Sequence, residues 1–153
     1  MTASEIFVRL AVVGWGVLCG GIVYEHVAVV PQWSKQPPES LAMWSGPHRL
    51  AAERFWKGIH PIVILLLAAC LTTAWSTDQR SALIEVLSGY LAVIAVTAVW
   101  FVPELLKLTQ DQNAPIPRDE WRARARRWER LSLARGAVVL GLSWPLLGAL
   151  AGL

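Results

Sequence analysis

Charge is scarce in this chain. Of its 153 residues only 16% are charged while 55% are hydrophobic, and the mean hydropathy is positive, a balance that argues against a water-soluble domain of this size. Polar residues also fail to recur every three or four positions in the longest apolar runs, Pro61–Cys70 and Leu91–Trp100. A soluble four-helix bundle needs such a recurrence, because one face of each helix must meet water. Cysteine and histidine are few as well, with two of the first and three of the second. Cys19 and Cys70 form no Cys-x-x-Cys pair, which argues against a dithiol oxidoreductase, and no Cys-x-x-Cys-His motif for covalent haem attachment occurs. The Glu-x-x-His motif that di-iron bundles carry on two helices is missing too. Glu5 and Arg9 give no basic leader, and Gly16, Val17 and Leu18 before Cys19 do not make a lipoprotein signal, so the first apolar stretch is expected to be retained. Internal repeats and low-complexity tracts are absent.

What the chain does have is four apolar stretches, expected to span a membrane at about 6–30, 59–75, 83–104 and 132–152. The first, as a helix, is about 37 Å long at 1.5 Å per residue. These stretches predict an all-α fold: a single integral membrane domain over 1–153, built as an antiparallel bundle of four transmembrane helices. Pro31–Ser40 holds three prolines and is expected to be a loop, and Leu41–Gly58, with Trp44, Phe55 and Trp56 among basic residues, reads as an interfacial segment broken near Ser45–Pro47. Pro103 is expected to kink or end the regular part of the third helix. After Pro117, Asp119 and Glu120 suit the N-terminus of a fourth helix that starts outside the bilayer.

Lysine and arginine are lopsided. Lys35, Arg49, Arg54 and Lys57 lie in the first connection, and Lys107, Arg118, Arg122, Arg124, Arg126, Arg127 and Arg130 in or beside the third; only Arg9 and Arg80 belong to the opposite ends. The expected orientation puts both long connections in the cytoplasm and both termini outside. The basic run follows a membrane helix without a recognition fold, so contact with anionic lipid is expected and nucleic acid is not.

Each stretch also brings an ionisable group to the end where long connections meet: Glu25, His60, Glu104 and Glu129. Carboxylates and imidazole converging between helices suit a first-row transition metal such as iron, manganese or zinc, and these four are the candidate ligands, with His48 in reserve. Glu25 and His26 are consecutive, roughly 100° apart around a helix, so both cannot face one small site. His26 and Arg135 are the candidates for supporting proton transfer or an oxyanion. Haem held between His26 and His60 is the weaker cofactor option. The bland alternative is that the charged groups pair with one another, Glu25 or Glu104 with Arg135, or Glu104 with Lys107. Five tryptophans on the same side read as an aromatic belt, and Trp100 is the candidate for lining a cavity.

Five segments carry a resemblance: YEHVAVVPQW at Tyr24–Trp33, PPESL at Pro37–Leu41, FWKGIHP at Phe55–Pro61, FVPE at Phe101–Glu104 and WERLSLAR at Trp128–Arg135. Together they resemble the anthrone-oxygenase-like family of small four-helix membrane proteins. Pro115, Ile116 and Pro117 stand where many members have a Pro-x-Asn turn, so that asparagine is missing. The resemblance implies a membrane-embedded oxidoreductase, with a metal-dependent oxygenase among its forms, acting on a hydrophobic or aromatic small molecule that arrives from lipid. The competing expectation is a non-catalytic subunit, assembly factor or lipid-binding protein, partnered by a membrane protein or by a second copy, whose polar cluster fixes helix packing.

Overall fold

The computed structural model of the chain describes residues 2–109 and 116–152. Among the described residues there are four long helices and no strand: α1 Ala3–Trp33, α2 Ala52–Thr73, α3 Arg80–Thr109 and α4 Arg118–Ala151. All four are long and apolar enough to cross a membrane. Their outward side chains are apolar on every helix, with Val13 66%, Leu65 69%, Val99 79% and Trp144 84% exposed. Together these make the chain an integral, multi-pass membrane protein, because lipid is the solvent that such a surface matches.

The helices form a ring. α1 packs on α2, α2 on α3, α3 on α4, and α1 also on α4. The short turn between α2 and α3 makes those two antiparallel neighbours. α1 begins on a capping box, in which the Thr2 hydroxyl accepts the Glu5 N–H and the Glu5 carboxylate accepts the Thr2 N–H. α4 begins just after Pro117 with Asp119 and Glu120 in its first turn, as expected.

Two of the helices run further than the apolar pattern predicts. α1 passes through Pro31 to Trp33, and α3 passes through Pro103 to Thr109. Both contain one π-helical turn, Glu25–Val29 and Thr97–Phe101, closed by Val30 N–H bonding to the Glu25 carbonyl and Val102 N–H to the Thr97 carbonyl. The next residue in each case is the proline. A residue without an N–H thus falls where bonding changes from five-residue to four-residue spacing, and the helix continues. Between α1 and α2 a short 3-10 helix, Glu39–Trp44, ends at Ser45, and Gly46 takes a positive φ of 80° that favours glycine. The second half of the expected interfacial segment, from Ala52 on, forms the first turns of α2.

Two apolar cores result. The first draws on all four helices, through Trp15, Leu18, Val63, Leu67, Tyr90 and Leu146 among others. The second, at the end of the long connections, joins Val29, Val30 and Trp33 of α1 to Phe101 and Leu108 of α3 and to Trp121, Ala125 and Trp128 of α4. No buried residue of α2 belongs to it among the described residues. The first turns of α2 therefore pack on α1 at Gly21 but stay clear of this second core, and space opens beside them.

Candidate functional site

That space is a cavity of about 870 Å³ between the two cores. Its wall is mostly aliphatic and aromatic, with Leu18, Val93, Ile94, Ala98, Phe101 and Leu105 among the lining residues. Into this apolar wall are set Glu25 from α1, His60 from α2, Tyr90 and Thr97 from α3, and Arg135 from α4. Trp44, Arg49, Glu53 and Lys57 line the same cavity from the first connection and the start of α2.

Arg135 reaches the cavity because α4 presents Trp121, Trp128 and Arg135 inward at seven-residue intervals, two helical turns apart. Its guanidinium donates to Thr97 Oγ1 at 3.1 Å and to Ser132 Oγ at 3.0 Å, and stands 4.3 Å from the centre of the Phe101 ring. All three of those partners are neutral. Thr97 opens the π turn of α3 and Phe101 closes it, so the widened turn places both groups under one cation. The Glu25 carboxylate has no hydrogen bond and no ion pair among the described residues, although Arg135 lines the same cavity. Arg135, held by neutral groups, and Glu25, without a hydrogen-bond partner among the described residues, thus line one cavity and keep donor and acceptor capacity for a guest.

On the α2–α3 wall the Tyr90 hydroxyl lies 2.6 Å from His60 Nδ1. With the hydroxyl donating, His60 carries its own proton on Nε2. Trp56, one turn before His60, stacks on the imidazole with ring centres 5.5 Å apart, and Trp15 meets Tyr90 edge-on at 5.0 Å. Trp15 in turn donates to Ser143 Oγ at 3.0 Å. Tyr90 and His60 are thus fixed from both sides. Trp44 adds a buried indole N–H without a partner among the described residues.

The six residues singled out from the sequence separate into two groups. Glu25, His60 and Arg135 come together at the cavity. Glu104 does not, because Arg124 of α4 takes both its oxygens, at 2.7 and 2.8 Å. Glu129 is not among the cavity-lining residues, since its neighbour Trp128 occupies the inward position and Glu129 lies about 100° round the helix. His26 is turned into the seam with α4, close to Gly136. Its Nδ1 lies 2.8 Å from the Ile22 carbonyl and so must donate, which leaves Nε2 a buried nitrogen without a partner among the described residues. His26 thus lies in the helix seam while His60 lines the cavity, and no three histidine, cysteine, aspartate or glutamate side chains come together as a metal centre among the described residues. Trp100 lies under Arg127, 5.8 Å from its guanidinium, and is not among the residues lining the cavity.

No family model matches the chain, and comparison with curated proteins and with solved structures returns no match. The site therefore has to be read from its own chemistry. Tyr90, Thr97 and Ser132 escaped the sequence reading, which assigned Trp44 to an aromatic belt. The first two left a signal, being isolated polar groups within otherwise apolar spans, where a hydroxyl needs a partner. Trp44 left none, because nothing in the sequence distinguishes it from a tryptophan of an aromatic belt.

Proposed function

We propose that the protein is a membrane-embedded oxidoreductase that takes a hydrophobic aromatic small molecule bearing an acidic hydroxyl into this cavity. The observation that carries the reading is the Glu25–Arg135 arrangement. A carboxylate without a partner and a guanidinium held by neutral groups line one apolar cavity of about 870 Å³, a size and lining that suit a small organic ligand. A phenolic hydroxyl set between them donates to Glu25 and accepts from Arg135. On this reading Glu25 takes the hydroxyl proton and Arg135 stabilises the phenolate that forms. Dioxygen, the oxidant, gives one oxygen atom to the ring carbon para to that hydroxyl and leaves the other as water with the two hydrogens the substrate loses, so that a phenol becomes a quinone. The hydrogen-bonded pair of Tyr90 and His60 supplies a second proton donor and acceptor on the opposite wall. The resemblance to anthrone-oxygenase-like proteins supports the same substrate class. The lysine and arginine distribution further supports an orientation with both long connections in the cytoplasm and both termini outside.

The test uses purified protein in lipid nanodiscs with 1-naphthol and larger planar phenols, following binding by fluorescence and dioxygen uptake with an electrode. Uptake that depends on phenol and falls at least about a hundredfold in Glu25→Gln and in Arg135→Gln supports the reading, since a general base and an oxyanion partner each contribute on that scale. Binding without dioxygen uptake in the wild type points to the non-catalytic alternative, and failure to bind any phenol sinks both the substrate class and the mechanism. Elemental analysis of the same preparation, with His60→Ala beside it, tests for a metal held by residues of this wall.

A further inference from the structure

A second void, of about 480 Å³, lies between α1 and the start of α2. Its α1 side is one helical face, on which Val17, Gly20 and Gly21 follow at three- and four-residue spacing, and Phe55 of α2 lies opposite. Val17 and Phe55 are exposed on the surface that lipid covers. Glycine at 21 lets the helices close here, because a Cβ on it would collide with the Phe55 ring, whereas a Cβ on Gly20 would meet only open space. Three residues, Glu25, Ala52 and Trp56, line both this groove and the cavity. The two voids are therefore separated by a wall a single side chain thick, and Ala52 contributes only a methyl group to it.

We propose that this groove is the membrane-side access to the cavity, through which an apolar aromatic molecule dissolved in lipid slides past Trp56 and reaches Glu25. The inference rests on the cavity being the binding site of such a molecule. The groove is mostly apolar; its polar side chains among the described residues are Tyr24, Trp56 and Glu25, and Glu25, shared with the cavity, is the carboxylate to which a hydroxyl docks. A route past Arg49, Glu53 and Lys57, which also line the cavity, would first take the molecule from lipid into water, which its apolar surface opposes. A turn of the Trp56 side chain joins the two voids and at the same time unstacks it from His60, so passage and the state of the site are coupled.

The experiment measures how fast 1-naphthol dissolved in the lipid of a nanodisc reaches the protein, by stopped-flow fluorescence, together with its equilibrium Kd. Gly20→Phe fills the groove from a position with room for a side chain, Val17→Trp does so from its rim, and Lys57→Trp obstructs the polar mouth instead. The expected result is a fall of at least about tenfold in the association rate for either groove variant with Kd held within about twofold, and an unchanged association rate for Lys57→Trp, whose Kd is free to shift because Lys57 lines the cavity. Unchanged rates in both groove variants, or slowing by Lys57→Trp alone, overturn the proposed route while leaving the cavity as the binding site. Absence of 1-naphthol binding to the wild type overturns the route together with the function on which it rests.

Discussion

Glu104 shows what a single residue can and cannot reveal. Pairing with a cation was among its expected fates, and the partners considered were Lys107 and Arg135. The partner it has is Arg124, through two parallel hydrogen bonds that link α3 to α4. Which arginine of α4 faces Glu104 depends on how far α4 slides along α3, and no residue pattern within either helix fixes that. Arg124→Met is expected to lower stability by about 1 kcal/mol, the range for a pair still partly open to solvent, and to leave 1-naphthol binding unchanged. A shift in the unfolding midpoint in detergent, set against a binding isotherm, checks both halves. Arg135→Lys should behave differently: it keeps the charge but loses the planar fork that spans Thr97 and Ser132. Binding of a phenol is expected to weaken about tenfold in that variant, with thermal stability nearly intact; equal affinity would remove Arg135 from the site.

At the scale of the element, helix existence was legible and helix shape was not. Four long apolar runs predict four helices whatever the details of packing, because backbone groups in lipid must be bonded within the segment. The π turns were hidden. A turn widened by one residue leaves no mark on the apolar pattern of a segment that is apolar all round; Pro31 reads as the start of a loop and Pro103 as a kink or an end, when both follow the wide turns directly. Val27 and Val99, 73% and 79% exposed, are the outward residues of the two turns. Deleting Val99 is expected to restore ordinary helical spacing and to rotate Thr97 relative to Phe101 by roughly 100°. The variant should keep its helical circular dichroism and lose at least about tenfold in phenol affinity, because the cradle of Arg135 is broken. A variant that retains wild-type affinity would show that the wide turn of α3 has no part in the site.

At the scale of the whole molecule, the residues singled out from the sequence separate. The ring of helices brings Glu25, His60 and Arg135 to one cavity, as their positions at the ends of antiparallel spans require, while Glu104 and Glu129 face elsewhere. A sequence places a residue near a helix end; it does not place it around the helix when neighbouring positions are equally apolar. The orientation carries its own prediction. A C-terminal alkaline phosphatase fusion is expected to be active and a fusion after Lys107 inactive, and the reverse pattern would turn the protein over in the membrane.

The separation of α2 from the aromatic core at one end has a further meaning. How far α2 stands off is governed by the strap that leads to it, a 3-10 turn and a glycine bend between Trp33 and Ala52. The size of guest the molecule admits is then a matter of strap length as well as of wall composition. Shortening the strap by two or three residues near Gly46 should draw α2 in and exclude larger ring systems while 1-naphthol still fits, so selection for a new guest can act on a surface loop without touching a buried residue.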